Sequence, residues 1–128
     1  MKVRDIMYDR NELFTIDQNV SVREAAKFMT EKNIGALLVE KDEVIKGIVT
    51  TGDFMRKVIS EDKDHKAVKV KDIMSSPLIM INDNAGIVEA AQLMAKYNIK
   101  RLAVTDEGEI TGIVSNSLIG KNIEKLAK

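Results

Sequence analysis

The chain is written twice. Val3-Arg4-Asp5-Ile6-Met7 returns as Val70-Lys71-Asp72-Ile73-Met74, and Gly47-Ile48-Val49 returns as Gly112-Ile113-Val114. The offset is 67 residues at the first motif and 65 at the second, so two residues have been lost around Ser75-Ser76-Pro77. The order between them is kept. Leu13-Phe14-Thr15-Ile16 aligns with Leu78-Ile79-Met80-Ile81, short apolar runs that predict strands. Val22, Ala25, Ala26 and Met29 align with Ile87, Ala90, Ala91 and Met94, one apolar face at helical spacing in each copy. Asn33-Ile34 and Asn98-Ile99 follow these helices. Next come Ala36-Leu37-Leu38-Val39 and Arg101-Leu102-Ala103-Val104, a polar turn with Asp42 or Gly108, another strand and a second helix.

Each half therefore reads strand, helix, strand, strand, helix after a short leading segment, a mixed α/β (α+β) pattern. A unit of this size exposes apolar faces on sheet and helix alike. The duplication predicts that the halves bury those faces against each other about a pseudo-two-fold axis. The repeats are expected at residues 1–62 and 70–128, with a charged connector at 63–69, together forming one compact pair. Ser21 with Glu24 predicts a capping box for the first helix, and Gly86 with Glu89 a weaker N-cap. The Lys-rich tail, Lys121 to Lys128, reads as a continuation of the last helix. His65, the only histidine, lies in the charged stretch Ser60–Lys66 and reads as a solvated loop residue. The seven methionines, Met7, Met29, Met74 and Met94 among them, read as core filling or interface packing.

Composition narrows the function classes. With 45% hydrophobic and 31% charged residues the 128-residue chain is expected to fold. Twenty basic residues balance twenty acidic ones, so no global field recruits nucleic acid or an anionic membrane, and any anion site must be local. Aromatic residues at 4%, with no Trp, leave little for base stacking. The absence of Cys removes disulfides and thiolate chemistry and fits a reducing compartment. No apolar run is long enough for a membrane span and Met1–Asp5 opens no signal peptide, so a cytoplasmic location is expected.

The stretch richest in chemistry is Gly47-Ile48-Val49-Thr50-Thr51-Gly52-Asp53-Phe54. An apolar strand end runs through two hydroxyls and a glycine into a carboxylate that opens a helical segment carrying Phe54, Met55, Val58 and Ile59. A helix N-terminus with a hydroxyl, free N–H groups and a fixed acid can hold a phosphorylated ribose. Thr50 and Asp53 also stand at capping-box spacing, and many helices start this way without a ligand.

The pattern of each half, Asp-Ile-Met near its start and Gly-Ile-Val-Thr-Thr-Gly-Asp at the end of the first, resembles a cystathionine-β-synthase (CBS) domain. Two in tandem resemble a CBS pair, or Bateman module, over essentially the whole chain. The resemblance implies a regulatory module binding AMP, ADP, ATP or S-adenosylmethionine in clefts between the repeats, as a homodimer of pairs. The family signature of Gly, an apolar residue, any residue, Thr or Ser, two residues and Asp is met by Gly47, Ile48, Val49, Thr50 and Asp53. By that resemblance Asp53 would hold the ribose hydroxyls and Thr50 would reach the phosphate. Thr51 and Gly52 complete the turn. Leu78 and Ile79 would sandwich the base, and Lys100 and Arg101 would meet the phosphates, with Ala103 nearby. Each of these has a plainer reading: Leu78 and Ile79 as strand core, Lys100 and Arg101 as complements to a helix dipole.

The two copies differ at these positions. Repeat two reads Gly112-Ile113-Val114-Ser115-Asn116-Ser117-Leu118, so the acid is replaced by Leu118. The positions matching Lys100 and Arg101 are Gly35 and Ala36 in repeat one. One expected cleft keeps both polar ends and the other loses both. Phe14, Ala36 and Ser115 would line that second, weaker cleft.

Three function classes follow. A sensor would bind an adenine nucleotide or S-adenosylmethionine and transmit ligand state to an unidentified regulated protein. A ligand-free dimerisation or protein-interaction scaffold would keep its clefts empty. An enzyme is not expected: there is no HExxH, GxSxG or GxxxxGK[ST] motif, no Cys and one loop His, so no catalytic residue and no metal ligand is assigned. Neither a membrane nor a nucleic acid is an expected partner. Ribose and phosphate contacts are common to several adenosine compounds, so the sequence does not choose among them.

Overall fold

The helix–strand alternation expected from the repeat is present. The fold is described from a computed structural model, over residues 1–123. The final helix ends at Lys121, and the last five residues of the Lys-rich tail, on which most of its expected continuation falls, lie outside the described residues. In chain order the elements are β1 (Tyr8–Asp9), β2 (Thr15–Asp17), α1 (Val22–Lys32), β3 (Ala36–Lys41), β4 (Val44–Thr50) and α2 (Thr51–Phe54). There follow α3 (Val70–Ile73), β5 (Met80–Asn82), α4 (Ile87–Tyr97), β6 (Arg101–Asp106), β7 (Glu109–Ser115) and α5 (Asn116–Lys121). Helix α2 runs on into a wider π turn over Met55–Ile59, and 3-10 turns occupy Val3–Asp5 and Arg10–Glu12.

The chain divides into two compact units, cut differently from the sequence repeats. One is Phe14–Leu78; the other is Met1–Leu13 together with the chain from Ile79 onward. The leading segment of each copy thus belongs with the body of the other copy. The repeated Val-x-Asp-Ile-Met motif explains how. Val3 and Val70 are fully buried, each in the core of its unit. Asp5 and Asp72 accept the backbone N–H of Lys2 and Lys69 at 2.8 and 3.0 Å, fixing the turn. Met7 and Met74 lie against Gly112 and Gly47, the two signature glycines.

In the Phe14–Leu78 unit a three-stranded sheet runs β2-β3-β4, β2 parallel and β4 antiparallel to β3. Its helix-side core joins Val22, Ala25 and Met29 of α1 to Leu37, Val39 and Val49 of the sheet, Phe54 and Val58 of the second helix, and Val70 and Ile73 of α3. The other unit has a four-stranded sheet, β1-β7-β6-β5, and a matching core of Ile87, Ala90, Met94, Leu102, Val104, Val114 and Val3.

Local chemistry accounts for the repeated elements. The Ser21 hydroxyl accepts the Glu24 N–H at 3.1 Å, while Gly86 offers no side-chain cap. Asn33 and Asn98 end α1 and α4 in the left-handed region, at φ 56° and 51°. The next residue, Ile34 or Ile99, returns its N–H to Met29 or Met94, closing a Schellman-type end. The β3–β4 and β6–β7 hairpins turn on two residues of positive φ, Asp42-Glu43 and Glu107-Gly108, the type I′ geometry that matches strand twist.

Strands β2 and β5 start two residues later than the apolar runs suggest, at Thr15 and Met80. The two residues missing from the second copy are also explained. In the first copy they allow the Arg10–Glu12 turn after β1, which pairs with β7 through Tyr8 and Asp9. In the second, Ser75 makes a single bridge to Ile48 and Pro77, with no N–H, cannot extend it.

Candidate functional site

Antiparallel pairing of β3 with β4 brings the end of β4 to the point where Thr50 faces Ala36 across the ladder. Thr50 is 8% and Asp53 3% exposed, so hydroxyl and carboxylate are both buried at the start of α2. They hold each other. Asp53 Oδ2 accepts the Thr50 N–H at 2.9 Å and its hydroxyl at 3.2 Å, and the hydroxyl accepts the Asp53 N–H at 3.3 Å. This is a reciprocal capping box. The Thr51 N–H goes to the Gly35 carbonyl at 3.1 Å, so two of the first three amides of this helix are already paired.

The second carboxylate oxygen meets two cations. Lys57 Nζ stands 3.2 Å and Arg56 Nη2 3.5 Å from Asp53 Oδ1. Lys57 also donates to the Ile73 carbonyl at 2.8 Å, tying the site to the end of α3. Neither residue stands in the signature stretch Gly47–Asp53, although spacings of three and four residues after an acid on a helix are a readable sign of a pair.

Other expected residues do structural work. Val49 is fully buried in the helix-side core. Ile48 exchanges backbone hydrogen bonds with Ser75. A methyl group at Gly47 would stand 2.5 Å from the Ser75 carbonyl oxygen and 2.9 Å from Met74 Sδ, so the glycine admits the 74–75 segment. Thr51 is exposed and lines, with Gly35, Ile34, Asn33, Met29 and Phe54, a groove of about 470 Å³ that Thr50 and Asp53 do not reach. Phe14 packs edge-on against Phe28 with ring centroids 5.6 Å apart, and Lys32 Nζ lies 5.6 Å from the Phe14 centroid.

The expected site is divided between the compact units. Gly47 to Asp53, Phe14, Ala36 and Leu78 belong to one; Ile79, Lys100, Arg101, Ala103 and Ser115 belong to the other. Leu78 is half-buried, and Ile79 packs on its unit's core while its carbonyl accepts the Ala103 N–H at 3.0 Å. Ala103 is fully buried. Lys100 is exposed, and its carbonyl accepts the Asn116 N–H as Gly35 does for Thr51. Half-buried Arg101 is directly opposite Ser115 in the β6–β7 ladder. The basic residue and the hydroxyl expected in separate clefts thus share one face of one sheet, since opposed residues project to the same side.

A sequence profile of the CBS domain matches residues 3–60 and again residues 70–119. The chain belongs to the CBS-domain family. It is 33% identical over 113 residues to the CBS domain-containing protein YhcV of Bacillus subtilis, covering 88% of this chain and 79% of that one. Of several longer relatives it spans about half the length or less. It superposes on a putative signal-transduction protein with CBS domains from Burkholderia ambifaria with a TM-score of 0.85, at 30% identity, covering 100% of this chain and 97% of that one. The CBS domain pair of protein MJ0100, solved with 5′-methylthioadenosine and S-adenosyl-L-methionine, matches with a TM-score of 0.81 at 26% identity, over 98% of each chain.

Within the CBS pair the second copy has lost the polar half of the arrangement. Ser115 still caps, accepting the Leu118 N–H at 3.2 Å, but Leu118 cannot return the favour to the Ser115 amide. Among the described residues no helix is long and apolar enough to cross a membrane, and no cluster of His, Cys, Asp or Glu could hold a metal ion.

Proposed function

We propose that this CBS pair is a regulatory module that binds an adenosine-containing ligand, of the AMP, ADP, ATP or S-adenosylmethionine type, and transmits ligand state to a partner protein in the cytoplasm. The observation that carries the reading is Asp53: a carboxylate 3% exposed, held by Thr50, in the repeat that keeps the full signature. The related MJ0100 pair with its two adenosine-containing ligands supports the ligand class. In this reading Asp53 accepts from the ribose hydroxyls, Thr50 and the Thr51-Gly52 turn serve the phosphate end, and Lys100 and Arg101 supply positive charge for the phosphates. Leu78, Ile79 and Ala103 complete the apolar part. Phe14, Ala36 and Ser115 form a second, weaker position. The module works as a homodimer of pairs and performs no catalysis.

The test is thermal unfolding with AMP, ADP, ATP and S-adenosylmethionine. Ligand at a hundred times its Kd adds about 2.7 kcal/mol to the stability of the wild type. Asp53→Ala and Arg101→Ala each remove most of the rise in Tm measured within the same variant; Leu118→Ala retains it. A wild type whose Tm ignores all four compounds, with flat calorimetry, reduces the protein to a ligand-free scaffold.

A further inference from the structure

We propose that Arg56 reads the charge of the ligand, so that the site takes a nucleoside bearing a 5′-phosphate in preference to uncharged adenosine or the sulfonium cation of S-adenosyl-L-methionine. The proposal rests on the adenosine-binding reading above and adds a residue and a choice among ligands to it.

A carboxylate offers about four lone-pair positions. Those of Asp53 are taken by the N–H and hydroxyl of Thr50 on one oxygen, and by Lys57 and Arg56 on the other. A ribose diol therefore reaches Asp53 by displacing a cation. Lys57 is held twice, by Asp53 and by the Ile73 carbonyl. Arg56 makes the longer contact, at 3.5 Å, through a side chain that is 65% exposed, so it is the group that yields. Its guanidinium lies back over Gly52, where a Cβ would stand 2.7 Å from Nη1. The glycine is what leaves room for it.

Displacement leaves the guanidinium at the site without its counter-charge. A phosphate restores one and matches the planar fork with two acceptors. A neutral nucleoside leaves the cation to water, and a sulfonium adds a second positive charge beside it. Repeat two shows the arrangement is a set: Gly52, Asp53, Arg56 and Lys57 are replaced by Ser117, Leu118, Lys121 and Asn122. There Asn122 Nδ2 donates to the Leu118 carbonyl instead.

Calorimetric titration of AMP, adenosine and S-adenosyl-L-methionine into wild type, Arg56→Gln and Arg56→Lys tests this. The wild type binds AMP more than about tenfold tighter than either other compound, the scale of one charge-assisted contact. Arg56→Gln narrows the AMP-to-adenosine ratio about tenfold, because only AMP loses a phosphate contact while adenosine binds no more weakly once no guanidinium has to be displaced, and it flattens the salt dependence of AMP binding. Arg56→Lys keeps part of the preference, having the charge without the fork. An Arg56→Gln variant with the wild-type ratio, or with AMP and adenosine weakened alike, overturns the assignment while the adenosine-binding reading stands. So does a wild type that binds S-adenosyl-L-methionine as tightly as AMP. A wild type that binds none of the three overturns both.

Discussion

Asp53 serves its own helix before it serves any ligand, and the two roles separate by magnitude. Replacing it with leucine, the residue its twin carries, removes one arm of a capping box, about 0.5–1 kcal/mol. It also removes two pairs to largely solvent-exposed cations, each worth about 0–1 kcal/mol. Against this, a buried carboxylate no longer has to be desolvated, and apolar replacements of buried charges are often neutral. Asp53→Leu is therefore expected to unfold in urea within about 1 kcal/mol of the wild type, while losing the ligand-induced rise in Tm. A loss of several kcal/mol would make the carboxylate a structural keystone. The Thr50–Asp53 contact was legible in the sequence because a capping box is a fixed three-residue spacing. The cations on Oδ1 were not: whether Arg56 and Lys57 fold back on the acid or extend into water is settled by side-chain rotamers and by the Ile73 carbonyl, supplied from sixteen residues away.

Among the elements, the most exacting contact is between the strand ends and the leading segments. At Gly47 an added methyl meets the Ser75 carbonyl at 2.5 Å, and at Gly112 it meets the Tyr8 carbonyl, neither of which gives way without moving the chain. Gly47→Ala and Gly112→Ala are each expected to cost about 1–3 kcal/mol, the range for overpacking. In Gly47→Ala, hydrogen exchange should speed up at the Ile48 and Ser75 amides, which bond each other's carbonyls. Gly120 in α5 has open space where a Cβ would stand, so Gly120→Ala should add up to about 1 kcal/mol. Element order was legible because helix and strand periodicities are local and occur twice. The strand starts were not. The Leu13–Ile16 run looks uniformly apolar, but Leu13 follows a 3-10 turn and only from Thr15 does the chain pair in register with β3. The signature glycines were legible as glycines but not as the seats of the leading segments, because the segment they admit lies 28 residues away in one copy and 104 in the other.

At the scale of the molecule, a duplicated sequence has not folded as two consecutive blocks. Each leading segment is built into the unit that carries the other copy's helices, so the boundary that matters to stability falls at Leu13–Phe14 and Leu78–Ile79. A repeat read from sequence aligns residues with their counterparts and says nothing of which body each docks on; that is decided by long-range bonds such as Val3 N–H to the Ala85 carbonyl and Val70 N–H to the Val20 carbonyl, both at 2.9 Å. The consequence is a displacement of effect. Val3 lies eleven residues before Phe14, yet its fully buried side chain sits in a core with Ile87, Met94 and Leu102. Val3→Ala should cost about 2 kcal/mol, two methyl groups plus the cavity they leave. Native-state hydrogen exchange places that loss: amides of β5 to β7 and α4 exchange faster, while those of α1, β3 and β4 keep their protection. Val70→Ala should give the reverse pattern, loosening α1, β3 and β4 from a position within the second sequence repeat. If each substitution loosened the helices of its own repeat instead, the leading segments would not be docked as described, and the packing account of the Val-x-Asp-Ile-Met motif would fall with them.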